Sequence, residues 1–285
     1  MQPEPAGKPL PLEATGQPLP DGGLPDGGSG GGASGVRPLD ERGQATLEIF
    51  RSSDACTEFL WERLSALSPR PVAGRVLEVG CGIGNLTRIL LRSPDVEHLL
   101  ALDMDPAYVA RLRHELPSPR LDVTVARAED FCPSEYTSAE RGFDFIVSSN
   151  VLEHIEDDTR ALSNCGRLLR PRGVILLLVP AHPFLYSSLD KNLSHHRRYR
   201  RKDIIELARR ASLQVLRLRH FNPVAALGWL LNGKILRRAM LPERQLSLYS
   251  RFGIPISRCL DTLNPLPFGV SLTAALSRLE EPAPL

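Results

Sequence analysis

Cysteine is scarce and scattered in this chain: five residues, at 56, 81, 132, 165 and 259, odd in number and without metal-ligand spacing. That arrangement excludes a disulfide framework and a cysteine-ligated zinc site, and it fits a reducing cytoplasm; no metal is expected. Long apolar runs are also lacking. No stretch reaches the roughly 18–20 residues of a membrane span, and the nearest candidate, 221–231, contains Asn222 and Pro223 and stops at Asn232-Gly233. No basic start followed by an apolar core marks a signal peptide, so a soluble, cytoplasmic protein is the expectation. No internal repeat is visible. Aliphatic side chains are sparse at the front, where residues 1–38 hold 8 Pro and 10 Gly. Such a composition buries too little apolar surface to offset chain entropy. Residues 1–40 are therefore expected to form a disordered tail, and 41–285 one folded domain.

From residue 74 onward, apolar runs alternate with amphipathic stretches, the pattern of strands and crossover helices in a parallel sheet. Strands are expected near 75–79, 98–102, 121–126, 143–148 and 173–179, with a last one over 269–276. Between the fourth and fifth, Ala161, Leu162, Cys165, Leu168 and Leu169 recur at helical spacing behind the capping acids Asp157 and Asp158. Pro171-Arg172-Gly173 is expected to end that helix. Upstream, 45–67 reads as one or two helices, with Phe50, Phe59, Leu60 and Trp61 as packing residues.

The most informative segment is 76–87, Val-Leu-Glu-Val-Gly-Cys-Gly-Ile-Gly-Asn-Leu-Thr. Glycines at 80, 82 and 84 let the backbone turn sharply after a buried strand and approach a ligand closely. A helix starting near Asn85 would point its free N–H groups into the same space. The dinucleotide fingerprint differs, placing its third glycine where this chain has Asn85. The next apolar run ends in Asp103-Met104-Asp105-Pro106. Asp103 stands near the spacing at which an acid at a strand tip meets ribose hydroxyls, whereas Asp105 before Pro106 reads as a helix N-cap.

Four motifs, Glu78-Val-Gly-Cys-Gly-Ile-Gly84, Leu102-Asp103-Met-Asp-Pro, Phe143-Asp-Phe-Ile-Val-Ser-Ser-Asn-Val-Leu-Glu-His154 and Leu169-Arg-Pro-Arg-Gly-Val-Ile-Leu-Leu-Leu-Val-Pro180, resemble in order and interval the class I S-adenosylmethionine-dependent methyltransferases. The resemblance covers roughly 74–220. It implies an α/β, Rossmann-like methyltransferase fold, a mostly parallel seven-stranded sheet with helices on both faces, and S-adenosyl-L-methionine as cofactor. It also implies a cofactor site over Gly80, Cys81, Gly82, Gly84, Asp103, Met104 and Asn150, with Glu78 at the cofactor's methionine end. The family often shows Gly-Asp-Ala after the third strand; this chain has Ala126-Arg127-Ala128-Glu129-Asp130, so Glu129, Asp130 or backbone groups take the adenine amine. A weaker similarity, through His195-His-Arg-Arg-Tyr199 and Pro267-Phe-Gly-Val-Ser271, is to a bacterial subgroup often found beside sugar-transferring enzymes.

Methyl transfer from a sulfonium needs alignment more than covalent help, and a base only where the acceptor must lose a proton. His154, His195 and His196 are the candidates, the last two following Tyr186 and Asp190 in the segment after the fifth strand. Packing by Leu152 and Ile155 is the alternative for His154. Residues 191–210 carry eight Lys or Arg against Asp203 and Glu206, a local excess that serves either as a phosphate-binding patch or as a solvated helix face. Ser149-Asn150-Val151-Leu152 stands where amino-methylating enzymes of nucleic acids show Asn or Asp-Pro-Pro-aromatic, so a nucleic-acid acceptor is not expected. The expected acceptor is a small molecule, glycan or lipid-linked intermediate, covered by a helical insertion at about 222–266 that also suits peripheral membrane contact. A nucleic-acid methyltransferase, a non-catalytic cofactor-binding regulatory module and a nicotinamide oxidoreductase are the alternatives.

Overall fold

In a computed structural model of the chain, the structure describes residues 47–48, 51, 54–136, 141–238, 242–263 and 267–279. The expected tail over 1–40, and Phe50, lie outside them. Helix α1 (Asp54–Ser65) leads into β1 (Gly74–Val79), α2 (Asn85–Arg92), β2 (Val96–Asp103), α3 (Pro106–Glu115), β3 (Leu121–Val125) and β4 (Phe143–Ser149). Then come α4 (Asp158–Leu168), β5 (Leu169–Pro180), the short α5 (Ser188–Asn192), α6 (Arg201–Arg210) and β6 (Leu213–Phe221). Helices α7 (Pro223–Trp229), α8 (Glu243–Leu248) and α9 (Ile254–Leu263), joined by π-helical turns, fill the interval before β7 (Ser271–Arg278).

The seven strands lie in the order β3-β2-β1-β4-β5-β7-β6. All pairings are parallel except those of β7, which runs antiparallel to both β5 and β6. The mostly parallel seven-stranded sheet is thus observed. The chain winds outward from β1 in one direction and from β4 in the other, so the crevice beyond their carboxyl ends is the topological switch point where open α/β sheets hold ligands.

Alternation along the central strands explains why these segments are almost wholly apolar. Leu77 and Val79 face one core with Leu100, Leu102, Ile146, Ile175 and Leu177, while Val76 faces the other with Leu99, Phe145, Val147, Val174 and Leu176. A strand covered on both faces has no solvent side to mark with polar residues. Phe59 of α1 is buried and packs on Phe221 with ring centroids 5.1 Å apart.

Two boundaries differ from the sequence reading. Helix α4 stops at Leu168, and β5 already begins at Leu169, whose partner is Phe143; the register then slips, so that Phe145 pairs with Val174. Pro171-Arg172-Gly173 therefore shapes a bulge inside the strand rather than the helix end, with Arg172 at φ +61°. The buried Leu169 and an Arg170–Asp144 ion pair of 2.8 Å anchor the early start. The last strand begins two residues late, at Ser271, whose partner is Phe221; Gly269 lies so close to Phe221 that a Cβ would stand 2.3 Å from its carbonyl oxygen.

Candidate active site

The turn after β1 is built from backbone conformations that L side chains resist. Gly80, Gly82 and Gly84 have φ of +78°, +50° and +82°. A Cβ on Gly80 would lie 2.3 Å from Val151 Cγ2, and one on Gly84 2.4 Å from Leu112 Cδ1. The loop is tied to β2: Leu102 O accepts from the N–H groups of both Gly80 and Cys81. Helix α2 starts at Asn85 as expected, with no side chain capping its first N–H groups. Leu47 lies over Gly82, and Asn85 Nδ2 donates to the Leu47 carbonyl at 3.2 Å, so the chain before α1 passes across the loop.

Asp103, buried at the tip of β2, accepts from Gly82 N–H at 2.8 Å on one oxygen and from Asp105 N–H at 2.9 Å on the other. Two carboxylate oxygens offer about four acceptor positions, so capacity remains for a vicinal diol. Burial raises its carboxyl above the ordinary value, against the lowering effect of those N–H bonds. Asp105 caps α3 through Ala107 N–H at 2.8 Å, which settles its role as an N-cap. Met104, beside them, is exposed.

Glu78 points into the sheet-helix interior, where Thr87 Oγ1 donates to its Oε2 at 2.6 Å. Desolvation pushes its carboxyl up to about 8, with Asp103 adding to the effect and Thr87 opposing it. Burial likewise pushes the Cys81 thiol far up, aided by Glu78 and Asp103, so this cysteine stays protonated. Asn150 follows β4 at φ +54° and donates its N–H to Leu178 O at 2.9 Å. After β3, the Glu129 carboxylate is engaged by Arg127, and Asp130 accepts from Arg160 at 2.8 Å.

The histidines gather next to this edge. A short turn, Leu152–His154, follows Asn150, and the rings of His154 and His195 meet edge to face with centroids 4.8 Å apart. Burial and the neighbouring His195 push the His154 imidazole down to about 4, leaving it neutral near pH 7. His195 Nδ1 lies 3.0 Å from Asp190 Oδ1. Asp190 also accepts from Arg198 Nε at 2.6 Å, from Ser187 N–H at 2.9 Å and from Trp229 Nε1 at 3.2 Å. Burial works to raise the Asp190 carboxyl, but the bonds from His195 and Arg198 outweigh it and hold it below its ordinary value. Tyr186 Oη donates to the His195 carbonyl at 2.8 Å. His196 is exposed, and its N–H donates to Glu153 O at 2.8 Å.

Sequence reasoning overlooked three things here. Glu153 is fully buried between these histidines, and desolvation pushes its carboxyl up to about 8. Beyond β5, His182 (φ +59°) stacks on His220 and on Phe268, each with ring centroids 5.0 Å away, next to the exposed Phe184. The basic run at 191–210 is not one patch. Arg198 is buried against Asp190 and Trp229, Arg197 pairs with Asp158 at 3.0 Å, and Arg209 with Glu206 at 2.7 Å.

A glycine-rich turn at the switch point, a carboxylate at the adjacent strand tip and a buried acid under the loop form a set of groups suited to a ligand that carries a ribose diol and a cationic tail. S-adenosylmethionine is such a ligand. A family profile described as a methyltransferase domain matches residues 50–232, and the chain belongs to that family: it is a class I S-adenosylmethionine-dependent methyltransferase. The ubiquinone biosynthesis O-methyltransferase of Actinobacillus pleuropneumoniae serotype 5b is 25% identical over 173 residues, 55% of this chain and 74% of that protein. The malonyl-[acyl-carrier protein] O-methyltransferase of Haemophilus ducreyi is 32% identical over 104 residues, 36% and 39% of the two chains. Among solved structures, the phosphoethanolamine N-methyltransferase 2 of Haemonchus contortus, in complex with S-adenosyl-L-methionine, shares the fold with a TM-score of 0.55 at 17% identity, over 86% of this chain and 61% of that one. A TehB-like methyltransferase from Corynebacterium glutamicum does so at 0.51 and 20%, over 83% and 98%.

Proposed function

We propose that the chain methylates an oxygen of a small-molecule, glycan or lipid-linked acceptor, and that the acceptor is lipid-linked. The cofactor supplies the activated methyl group. Asp103 receives its ribose hydroxyls, and Glu78 faces its positively charged methionine end. Gly80, Cys81, Gly82 and Gly84 provide the backbone cradle, with Met104 and Asn150 at its rim and Glu129 and Asp130 on the adenine side. His154, His195 and His196 border the acceptor space, and the His182–His220–Phe268 stack offers it an apolar wall. Relatives named as O-methyltransferases, one of ubiquinone biosynthesis and one of malonyl-[acyl-carrier protein], support oxygen as the acceptor atom.

The observation that carries the lipid-linked reading is the surface of the insertion between β6 and β7. Leu227, Leu231, Ile235, Leu248, Phe252 and Ile256 are all exposed there. Residues 222–260 contain six Lys or Arg against the single acid Glu243. Exposed apolar side chains fringed by cations suit the anionic interface of a bilayer, and helices of this kind lie in its plane. Among the described residues no helix is long and apolar enough to cross a membrane. The engagement of Arg197 and Arg198 by the buried Asp158 and Asp190, which takes two of the 191–210 cations out of any surface patch, weakens the case for a nucleic-acid acceptor. The test is transfer of a labelled methyl group to a polyprenylated catechol in anionic vesicles, compared with a water-soluble catechol. Transfer should require the vesicles and fall at least tenfold in a Leu227→Ser, Ile235→Ser, Phe252→Ser triple variant. Equal use of the soluble acceptor, with or without vesicles, would overturn the lipid-linked reading.

A further inference from the structure

We propose that Glu153, His154 and His195 bind a divalent first-row transition-metal ion. Among the described residues they are the one group of three metal-ligating side chains that converges, each offering an atom, with all three atoms within 4.8 Å of one another. Glu153 is 0% exposed, and neither carboxylate oxygen has a hydrogen-bond partner among the described residues. A buried carboxyl is normally paired or hydrogen-bonded, and a bound cation would supply the partner that both oxygens of Glu153 lack.

The second observation is the orientation of His195. Its Nδ1 is fixed by Asp190 Oδ1 at 3.0 Å, and Asp190 is itself held by Ser187, Arg198 and Trp229. A histidine that gives its Nδ1 proton to a carboxylate presents the Nε2 lone pair, the usual arrangement behind a metal-bound imidazole. That Nε2 stands 3.8 Å from Glu153 Oε1, so two lone-pair donors face each other across a gap. Bonds of about 2.0–2.2 Å place neighbouring ligands of a tetrahedral ion roughly 3.4 Å apart. A small contraction of the three side chains therefore closes the site.

Two imidazoles and one carboxylate make the donor set of catalytic zinc and of open two-histidine, one-carboxylate iron sites, each of which leaves a position for an exogenous oxygen. The cluster also lies beside the cofactor loop, because Val151, two residues before Glu153, packs against Gly80. An acceptor oxygen taking the open position would have its hydroxyl acidified by the cation. That last role rests on the methyl-transfer reading; the binding of metal does not.

The experiment is dialysis of the full chain against Co2+, followed by metal analysis and visible spectroscopy. One Co2+ per chain should be retained, with ligand-field bands and without the thiolate charge-transfer absorption that the free cysteines would produce. Retention should fall at least tenfold in Glu153→Gln and His195→Gln and persist in His114→Gln, a surface histidine. Glu153→Gln preserves volume, and circular dichroism confirms the fold of each variant. Absence of Co2+ from the folded wild-type chain overturns the site outright, as does equal retention in the wild type and either ligand variant. Metal binding with no methyl transfer in the presence of any acceptor would leave the site standing and count against the acceptor role alone.

Discussion

Cofactor binding by the wild-type enzyme should depend on pH through Glu78, and Glu78→Gln should abolish that dependence. The carboxyl sits under the glycine loop, fully buried with one hydroxyl donor, and desolvation lifts it from 4.5 to about 8 in the free protein. Near pH 7 it is mostly protonated. A cationic methionine end arriving above it favours the carboxylate, so binding expels a proton. Each pH unit below the free-state value then weakens cofactor binding by up to tenfold, or about 1.4 kcal/mol, giving a Kd that falls by as much as ~100-fold from pH 6 to pH 8 and levels off above. Calorimetry at pH 7 in two buffers of different ionisation enthalpy counts the released protons directly: close to one for the wild type, none for Glu78→Gln. The same shift has an opposite consequence for the free protein. Because the folded value lies above the unfolded one, the folded state holds the extra proton, and the stabilisation is complete below about 4.5 and lost as pH rises through about 8. A wild-type Kd that stays flat between pH 6 and 8, or one whose slope survives in Glu78→Gln, would refute the reasoning.

Three further outcomes are expected. Asp103→Ala should weaken S-adenosylhomocysteine binding by about 1.5–3 kcal/mol through lost charge-assisted hydrogen bonds, with unchanged affinity on calorimetry removing Asp103 from the site. Gly80→Ala should destabilise the fold by roughly 1–3 kcal/mol, read as a Tm drop of several degrees, because φ is +78° and the new Cβ meets Val151. Pairing it with Val151→Ala should recover only the steric part. Arg198→Met strands the buried Asp190 without its cation, and urea unfolding should show a loss of about 3–5 kcal/mol; a loss under 1 kcal/mol would mean that Trp229 and Ser187 suffice.

Sequence by itself determined the sheet's central strands, the glycine turn, the acid at the tip of β2 and the caps of α3 and α4. All of these arise from local causes: continuous apolar runs for strands buried on both faces, positive φ that glycine tolerates, and short acids satisfying the first N–H groups of a helix. Asp105 capping α3 and Asp157 accepting from Arg160 N–H at 2.9 Å are contacts within three residues, legible in one dimension. The early start of β5 was not, because it depends on Leu169 finding Phe143 in a neighbouring strand. Nor was the convergence of Glu153 and His154 with His195, some forty residues later. No spacing rule joins them; they meet because the end of β4 and the segment after β5 leave the same edge of one parallel sheet. The fate of the basic run was likewise a tertiary matter. Eight cations counted along the chain read as a single field, yet Arg198 is buried on Asp190, Arg197 pairs with Asp158, and Arg209 and Arg210 share the exposed Glu206; only the packing of the 195–200 segment against Asp158, Asp190 and Trp229 decided which charges were interior.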